Sequence, residues 1–293
     1  MEFKGSIVAL VTPFKDGKVD EASLRNLLKW HIDSGTHGIL VLGTTGEAAT
    51  MDMDERKRVM EIALEEAKGK VPLIVGTGTN NTQVALKYTK LAKEMGFDAA
   101  LVVAPYYNKP TQNGIYEHYK FLAEQVDIPI ILYNVPGRTS VNILPETTAK
   151  LSKIPNIVAI KEASGSIKQV TEILLQVEKD FTVLSGDDFT ALATVLLGGK
   201  GVISVGANVM PAEVAKLMES ALNGDLETAK ELNLKLYPLF KAMFIETNPV
   251  PAKFALWLMG KIETPEVRLP LAPLTDVSLE KLKTVLKENY SLI

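Results

Sequence analysis

The sequence contains no cysteine. Disulfide cross-links, thiolate-held zinc and thiol catalysis are therefore excluded. Histidine is scarce, with only His31, His37 and His118, and these stand at no metal-ligand spacing. No metal centre is expected. No apolar run reaches the length of a membrane-spanning helix. The opening stretch MEFKGSIVALVTPF holds one short apolar run that stops at Pro13, and it lacks the plan of a secretion signal. A cytoplasmic chain with no membrane partner is expected. Lysine and arginine form no basic blocks and the net charge is −3, which argues against nucleic acid as a partner. The glycine-rich stretches VGTGTN and LLGGKG match no nucleotide-binding fingerprint. What is present is ordinary for a soluble globular protein: 46% apolar and 23% charged residues over 293 positions. A chain of this length buries most of its unfolded surface and needs no cross-links.

Eight short apolar runs recur along the chain. They are residues 6–14, 38–43, 72–78, 99–105, 129–136, 157–164, 181–188 and 201–208. Each is rich in Val, Ile or Leu without clean polar alternation, the pattern of strands covered on both faces in a parallel sheet. The segments between them read as helices. Leu24, Leu27, Leu28 and Ile32 form one apolar face after a cap at Asp20. Val84, Tyr88, Leu91, Ala92 and Met95 form another, with Asn80 or Asn81 as the start cap and Gly96 as the stop. An α/β fold follows, and eight βα units suit a closed (β/α)8 (TIM) barrel over residues 1–223. Periodicity cannot show closure, so an open doubly wound sheet stays possible at this point. After Gly224 three helical segments follow with no strand between them, and ETPEVRLPLAP is a proline-rich linker. Residues 224–293 are expected to form a helical extension packed on the barrel or on a neighbouring subunit.

In such barrels the chemistry lies at the C-terminal ends of the strands. The second run ends in GTTGE, which supplies Thr44, Thr45 and Glu47. The fourth ends in PYYNKPTQNG with Tyr106 and Tyr107, the fifth in YNVPGRT with Tyr133 and Arg138, and the seventh in SGDD. The sixth, IVAIKEAS, runs from apolar residues straight into Lys161. An amine in an apolar setting loses its proton more easily, because desolvation disfavours the charged form. A neutral amine can attack a carbonyl and form a Schiff base. The alternative is a lysine neutralised by Glu162 or another carboxylate at the rim. Tyr133 holds the matching position one strand earlier and can carry protons for that chemistry, or it is a core tyrosine with a satisfied hydroxyl. GTTGE offers two hydroxyls and backbone N–H groups next to a helix start, suited to a carboxylate, or it is a capped βα turn. Arg138 can grip a carboxylate bidentately or form a rim salt bridge. His37 precedes its strand, at the far end from this chemistry, so a structural role is expected for it.

GTTGE, PYYNKPTQNG, YNVPGRT and IVAIKEAS, in this order and spacing, resemble the pyruvate-dependent class I aldolase superfamily, and within it the dihydrodipicolinate synthase family. The likeness runs from GSIVALVTPF to RLPLAPL, and the arginine of YNVPGRT is its more specific mark. The resemblance implies that Lys161 forms a Schiff base with pyruvate and that Tyr133 relays protons through Thr44 and Tyr107. It implies that Tyr107 reaches across from a neighbouring subunit, in a homotetramer built from dimers. Thr45 would hold the pyruvate carboxylate, with Gly186 and Ile203 lining the site through backbone. Arg138 would bind the carboxylate of L-aspartate-4-semialdehyde. No cofactor or metal is implied, and the reaction would be the entry step of the diaminopimelate route to lysine.

Two other readings stand beside this one. The first is a sialic acid lyase or 2-keto-3-deoxy sugar-acid aldolase on the same barrel, against which Arg138 and Tyr107 argue. The second is a non-catalytic keto-acid-binding barrel, against which the presence of both Lys161 and Tyr133 argues. One departure from the family pattern stands out. Bacterial members that bind lysine as a feedback inhibitor use histidines after GTTGE and an acidic residue on the next helix. Ala49, Asn80 and Tyr106 match that pattern, but Met53, Arg56 and Val84 occupy the other positions. Methionine and valine cannot pair with an ammonium and an arginine repels it, so lysine inhibition is expected to be weak or absent.

Overall fold

Every one of the eight apolar runs contains a strand. The computed structural model describes residues 2–293. The barrel strands are β1 (Gly5–Ala9), β4 (Gly38–Val41), β5 (Leu73–Gly76), β6 (Ala99–Val103), β7 (Ile130–Asn134), β8 (Ile157–Glu162), β9 (Thr182–Ser185) and β10 (Gly201–Ser204). All neighbours are parallel, and β1 pairs with β4 on one side and β10 on the other, so the sheet closes. The open-sheet alternative is thereby excluded.

Closure explains why the strands lack polar alternation. Ile7, Leu40, Ile74, Leu101, Ile131, Leu184 and Ile203 fill the barrel interior. Their neighbours Val8, Ile39, Val75, Val102, Leu132, Val183 and Val202 belong to the layer between sheet and helices. Successive strand residues face opposite sides, and here both sides are dry. Each fully buried Ile, Leu or Val contributes about 1.5–3 kcal/mol relative to exposure.

The helices packed outside the barrel are α1 (Glu21–Asp33), α2 (Met53–Ala67), α3 (Thr82–Met95), α4 (Gln112–Gln125), α6 (Pro145–Leu151), α7 (Ile167–Leu174), α8 (Ala191–Leu196) and α9 (Pro211–Leu222), with α5 (Pro136–Thr139) a single turn after β7. The Asp20 carboxylate caps α1 by accepting from Ser23 N–H at 3.0 Å. Asn81, of the two candidate asparagines, caps α3 by accepting from the N–H groups of Gln83 and Val84. Gly96 ends α3 at φ 87°, a left-handed conformation that favours glycine. One element was not foreseen: a hairpin of β2 (Phe14–Lys15) and β3 (Lys18–Val19). Its two-residue loop, Asp16-Gly17, has both residues at positive φ, the conformation an Asp-Gly pair supplies most readily.

The extension is all helical, as read: α10 (Leu226–Ala242), α11 (Val250–Leu258) and α12 (Asp276–Thr284), with a final π turn at Val285–Asn289. Pro238 interrupts α10. The Tyr290 hydroxyl enters the gap, donating to the Lys235 carbonyl at 2.7 Å and accepting from Leu239 N–H at 3.1 Å. It bridges the donor and acceptor that a regular turn would have joined. The segment between α10 and α11 returns to the mouth of the barrel.

Candidate active site

The site starts from a strand register. Tyr133 on β7 lies directly opposite Lys161 on β8. Tyr133 is part of the barrel-interior cluster, whereas Ile160, one residue before Lys161, belongs to the outer layer. The period of two therefore turns Lys161 inward and Glu162 outward. Glu162 accepts from Asn134 Nδ2 at 2.9 Å, Gln169 Nε2 at 3.1 Å and Ser164 N–H at 2.7 Å, all away from the amine. The alternative of a Lys161–Glu162 rim pair is ruled out by this geometry.

Lys161 is 5% exposed and has no ion-pair partner among the described residues. Its Nζ lies 4.2 Å from the centre of the Tyr133 ring. Burial lowers its pKa to about 7; the Asp188 carboxylate opposes that fall and the Arg138 guanidinium adds to it. Burial raises the pKa of the Tyr133 hydroxyl, with Arg138 and the Thr44 side chain acting in the opposite direction. Gly186 leaves room for the lysine stem, since a Cβ there would stand 2.9 Å from Lys161 Cγ and 2.7 Å from Ala163 Cβ.

A cavity of about 340 Å³ opens over the amine. Thr44, Thr45, Tyr133, Arg138, Lys161 and Gly186 all line it. Arg138 sits at its rim on α5 and donates to the Asn248 carbonyl at 3.3 Å. Among the described residues it forms no ion pair, so the rim salt bridge weighed above is absent. A second cavity of about 190 Å³ shares Thr44 and Tyr133 with the first and is lined further out by Ala49, Arg56 and Tyr106. The Arg56 guanidinium donates to the carbonyls of Met51 and Ala48 and lies 4.6 Å over the Tyr88 ring, with no carboxylate paired to it among the described residues. Burial lowers its pKa.

The GTTGE loop differs from the sequence expectation in two respects. The helix does not start there. Gly46 and Glu47 N–H groups bond back to Gly43 and Thr44, a short 3-10 turn follows at Ala48–Thr50, and α2 begins only at Met53 behind an Asp52–Glu55 capping box. Among the described residues no acceptor in the chain takes the Thr44 or Thr45 N–H. Glu47, named above with Thr44 and Thr45 at the end of the second run where the chemistry is expected, is committed elsewhere. Its Oε1 meets Lys253 Nζ at 2.5 Å with both side chains buried, and its Oε2 accepts from Arg268 N–H at 3.1 Å.

Two expected site residues lie outside the cavity in the single chain. Tyr107 is 88% exposed at positive φ on the loop after β6. Ile203 is fully buried in the barrel interior and does not line the cavity. Four residues were given no role by sequence reasoning. Asp187 lines the cavity, and buried Asp188 accepts from the N–H groups of Val205 and Gly206 at 3.1 and 2.9 Å. Phe244 and Asn248 reach the cavity from the extension. The SGDD stretch was a visible signal for the first two. Nothing in the helical periodicity of the extension singles out the others. The histidines lie apart: His31 and His118 each bond a threonine, and His37 accepts from Ser6 N–H and faces Glu219 on α9.

Fold and site define a (β/α)8-barrel enzyme with a buried lysine and tyrosine side by side at the mouth of the barrel. Its relatives are lyases. The chain belongs to the dihydrodipicolinate synthetase family, whose family model matches residues 2–289. It is similar to the 4-hydroxy-tetrahydrodipicolinate synthase of Thermodesulfovibrio yellowstonii, 55% identical over 285 residues that cover 97% of this chain and 98% of the relative. The enzyme of the same name from Syntrophus aciditrophicus is 56% identical over 291 residues, 99% of each chain. The crystal structure of dihydrodipicolinate synthase from Aquifex aeolicus matches with a TM-score of 0.95 at 51% identity, covering 98% of both chains. These relatives do not favour the sialic acid lyase reading.

Proposed function

We propose that this chain condenses pyruvate with L-aspartate-4-semialdehyde to 4-hydroxy-tetrahydrodipicolinate. The observation that carries the mechanism is the buried, unpaired Lys161 amine opposite Tyr133. The neutral amine attacks the pyruvate ketone, and loss of water leaves a Schiff base. The Tyr133 hydroxyl, with Thr44, moves protons at addition, dehydration and enamine formation. The enamine carbon adds to the aldehyde. The substrate's own amine then attacks the imine carbon, closes the ring and releases Lys161. One water leaves overall, and no metal or cofactor takes part.

Thr45 and the unbonded N–H groups of its loop suit the pyruvate carboxylate, with Gly186 contributing backbone to the same cavity. Arg138 at the rim suits the carboxylate of the semialdehyde. Tyr107, far out in solvent in the single chain, completes the proton relay of a neighbouring subunit in a homotetramer. No helix among the described residues is long and apolar enough to cross a membrane, and the reaction belongs in the cytoplasm.

The test is turnover. Purified protein given both substrates should form the cyclic product, and N-acetylneuraminate should not be cleaved; the reverse result would overturn the reading. Arg138→Ala should lower kcat/KM for the semialdehyde by about 10²–10³-fold, as for loss of one partner of a charged pair, while pyruvate adduct formation changes little. Equal damage to both steps would assign Arg138 a different role.

Lysine should inhibit weakly or not at all. Arg56 lines the second cavity with Tyr106, and its charge repels an ammonium there. Steady-state rates should be little changed by submillimolar lysine, and inhibition in that range would contradict the proposal.

A further inference from the structure

The residues that follow Tyr133 and Lys161 are paired as well. Asn134 lies opposite Glu162, and each is the last residue of its strand. Both are buried on the outer side of the barrel, in a layer that is otherwise apolar. Glu162 Oε2 accepts from Asn134 Nδ2 at 2.9 Å and from Gln169 Nε2 at 3.1 Å, while Oε1 accepts from Ser164 N–H at 2.7 Å. No cation pairs with this carboxylate among the described residues. A buried carboxylate held by neutral donors alone depends on each of them.

The cluster extends to a third segment. Asn134 Nδ2 also donates to Asn142 Oδ1 at 2.8 Å, and Asn134 Oδ1 accepts from Ile143 N–H at 2.9 Å. Asn142 Nδ2 donates to Gln169 Oε1 at 2.8 Å. Gln169 stands on α7, and Asn142 follows α5, the turn that carries Arg138. No buried side-chain nitrogen or oxygen of Asn134, Asn142, Glu162 or Gln169 is left without a partner. A buried polar network satisfied throughout is rigid and admits one arrangement. The strand with Tyr133, the strand with Lys161 and the chain just past Arg138 therefore meet on one carboxylate. None of these four side chains lines the cavity over the amine. Their effect on the chemistry must pass through the residues that do.

We propose that Glu162, through Asn134 and Gln169, is a positioning residue that fixes how the Lys161 amine and the Tyr133 hydroxyl face each other. The inference rests on the Schiff-base reaction proposed above. The backbone ladder sets which residues stand opposite. At the ends of β7 and β8 it gives way to loops, and directional bonds behind the pair hold both ends against turning. An apolar residue in place of Glu162 would pack there but impose no direction, and it would strand the donors of Asn134 and Gln169. Proton transfer between neighbouring groups is sensitive to such turning, since a misplacement of about 1 Å can cost about 100-fold in rate.

Glu162→Gln is the variant to examine. It keeps the side chain's shape and turns one acceptor into a donor that faces a donor. Rapid mixing with pyruvate, then borohydride reduction and mass measurement, gives the limiting rate of adduct formation, the half-saturating pyruvate concentration and the pH midpoint. The limiting rate should fall about 100-fold. Half-saturation should change by less than about threefold, because no atom of the cluster meets the ligand. The midpoint should stay at about 7, which burial, Asp188 and Arg138 set. Gln169→Leu removes one donor farther from the strand ends. It should show the same pattern at about 10-fold, and it serves if Glu162→Gln fails to fold. Lower melting with an unchanged limiting rate would overturn the proposal and leave the cluster a purely structural role. Raised half-saturation at an unchanged limiting rate would overturn it in favour of a part in binding. A displaced midpoint would replace positioning with charge acting on the amine. Absence of any pyruvate adduct in the unaltered enzyme would instead strike the proposed reaction itself.

Discussion

Lys161→Ala will abolish the borohydride-trapped pyruvate adduct and lower turnover by about 10⁴-fold or more, the scale of removing a covalent nucleophile. In the unaltered enzyme the rate of adduct formation should rise with pH through about 7 and level off above it. The sign follows from which form reacts. The attacking amine must be neutral, and burial has brought its pKa from the ordinary 10.5 to about 7. Near neutrality about half the molecules then carry a reactive amine, against fewer than about one in a thousand for an exposed lysine. Rapid mixing with pyruvate across a pH series, followed by reduction and mass measurement, reads both effects. An adduct that survives the substitution would show that another amine is attacked. A rate still climbing toward pH 10 would show that the amine is not depressed.

Lys253→Met should destabilise the protein by about 3–5 kcal/mol, the cost of leaving a buried charge without its partner. Lys253 and Glu47 are both buried, 2.5 Å apart, and the amine also donates to the Glu266 carbonyl at 2.7 Å. The substitution strands the Glu47 carboxylate behind the loop that carries Thr44 and Thr45. Melting should therefore fall by several degrees or more, and the KM for pyruvate should rise as the loop loses its anchor. Glu47→Gln added to Lys253→Met should restore much of the stability, because a neutral amide needs no buried counter-charge. Melting curves of the single and double variants check this. A single variant within about 1 kcal/mol of the parent would mean that the pair contributes little.

Much of the site was legible because strands impose a simple rule. Lys161 ends an apolar run, and its odd charge marks it out even without a partner in view. Tyr133 occupies the corresponding position one strand earlier, and parallel pairing in a closed barrel brings the two opposite each other. The hairpin at Asp16-Gly17 was also legible, from its turn residues, and was overlooked because its strands are only two residues long. Glu47 was misjudged for a different reason. A carboxylate at a strand end reads the same whether it faces the cavity or a lysine behind it, and that lysine lies far along the chain in the extension. Asn248 and Phe244 were invisible in the same way, since their segment carries no period and no motif.

The sequence by itself determined the repeated strand and helix pattern, the placing of a lysine and a tyrosine at corresponding ends of neighbouring strands, and the absence of cysteine chemistry. These depend on local order: composition, a period of two or 3.6, and turn residues. Only the tertiary structure decided that the sheet closes, that Glu162 turns away from Lys161 into a hydrogen-bonded cluster, and that the extension completes the cavity through Asn248 and pins its loop through Lys253. Those contacts join residues far apart in the chain, and what brings them together is the burial of apolar surface over the whole fold. No short stretch of sequence contains that information.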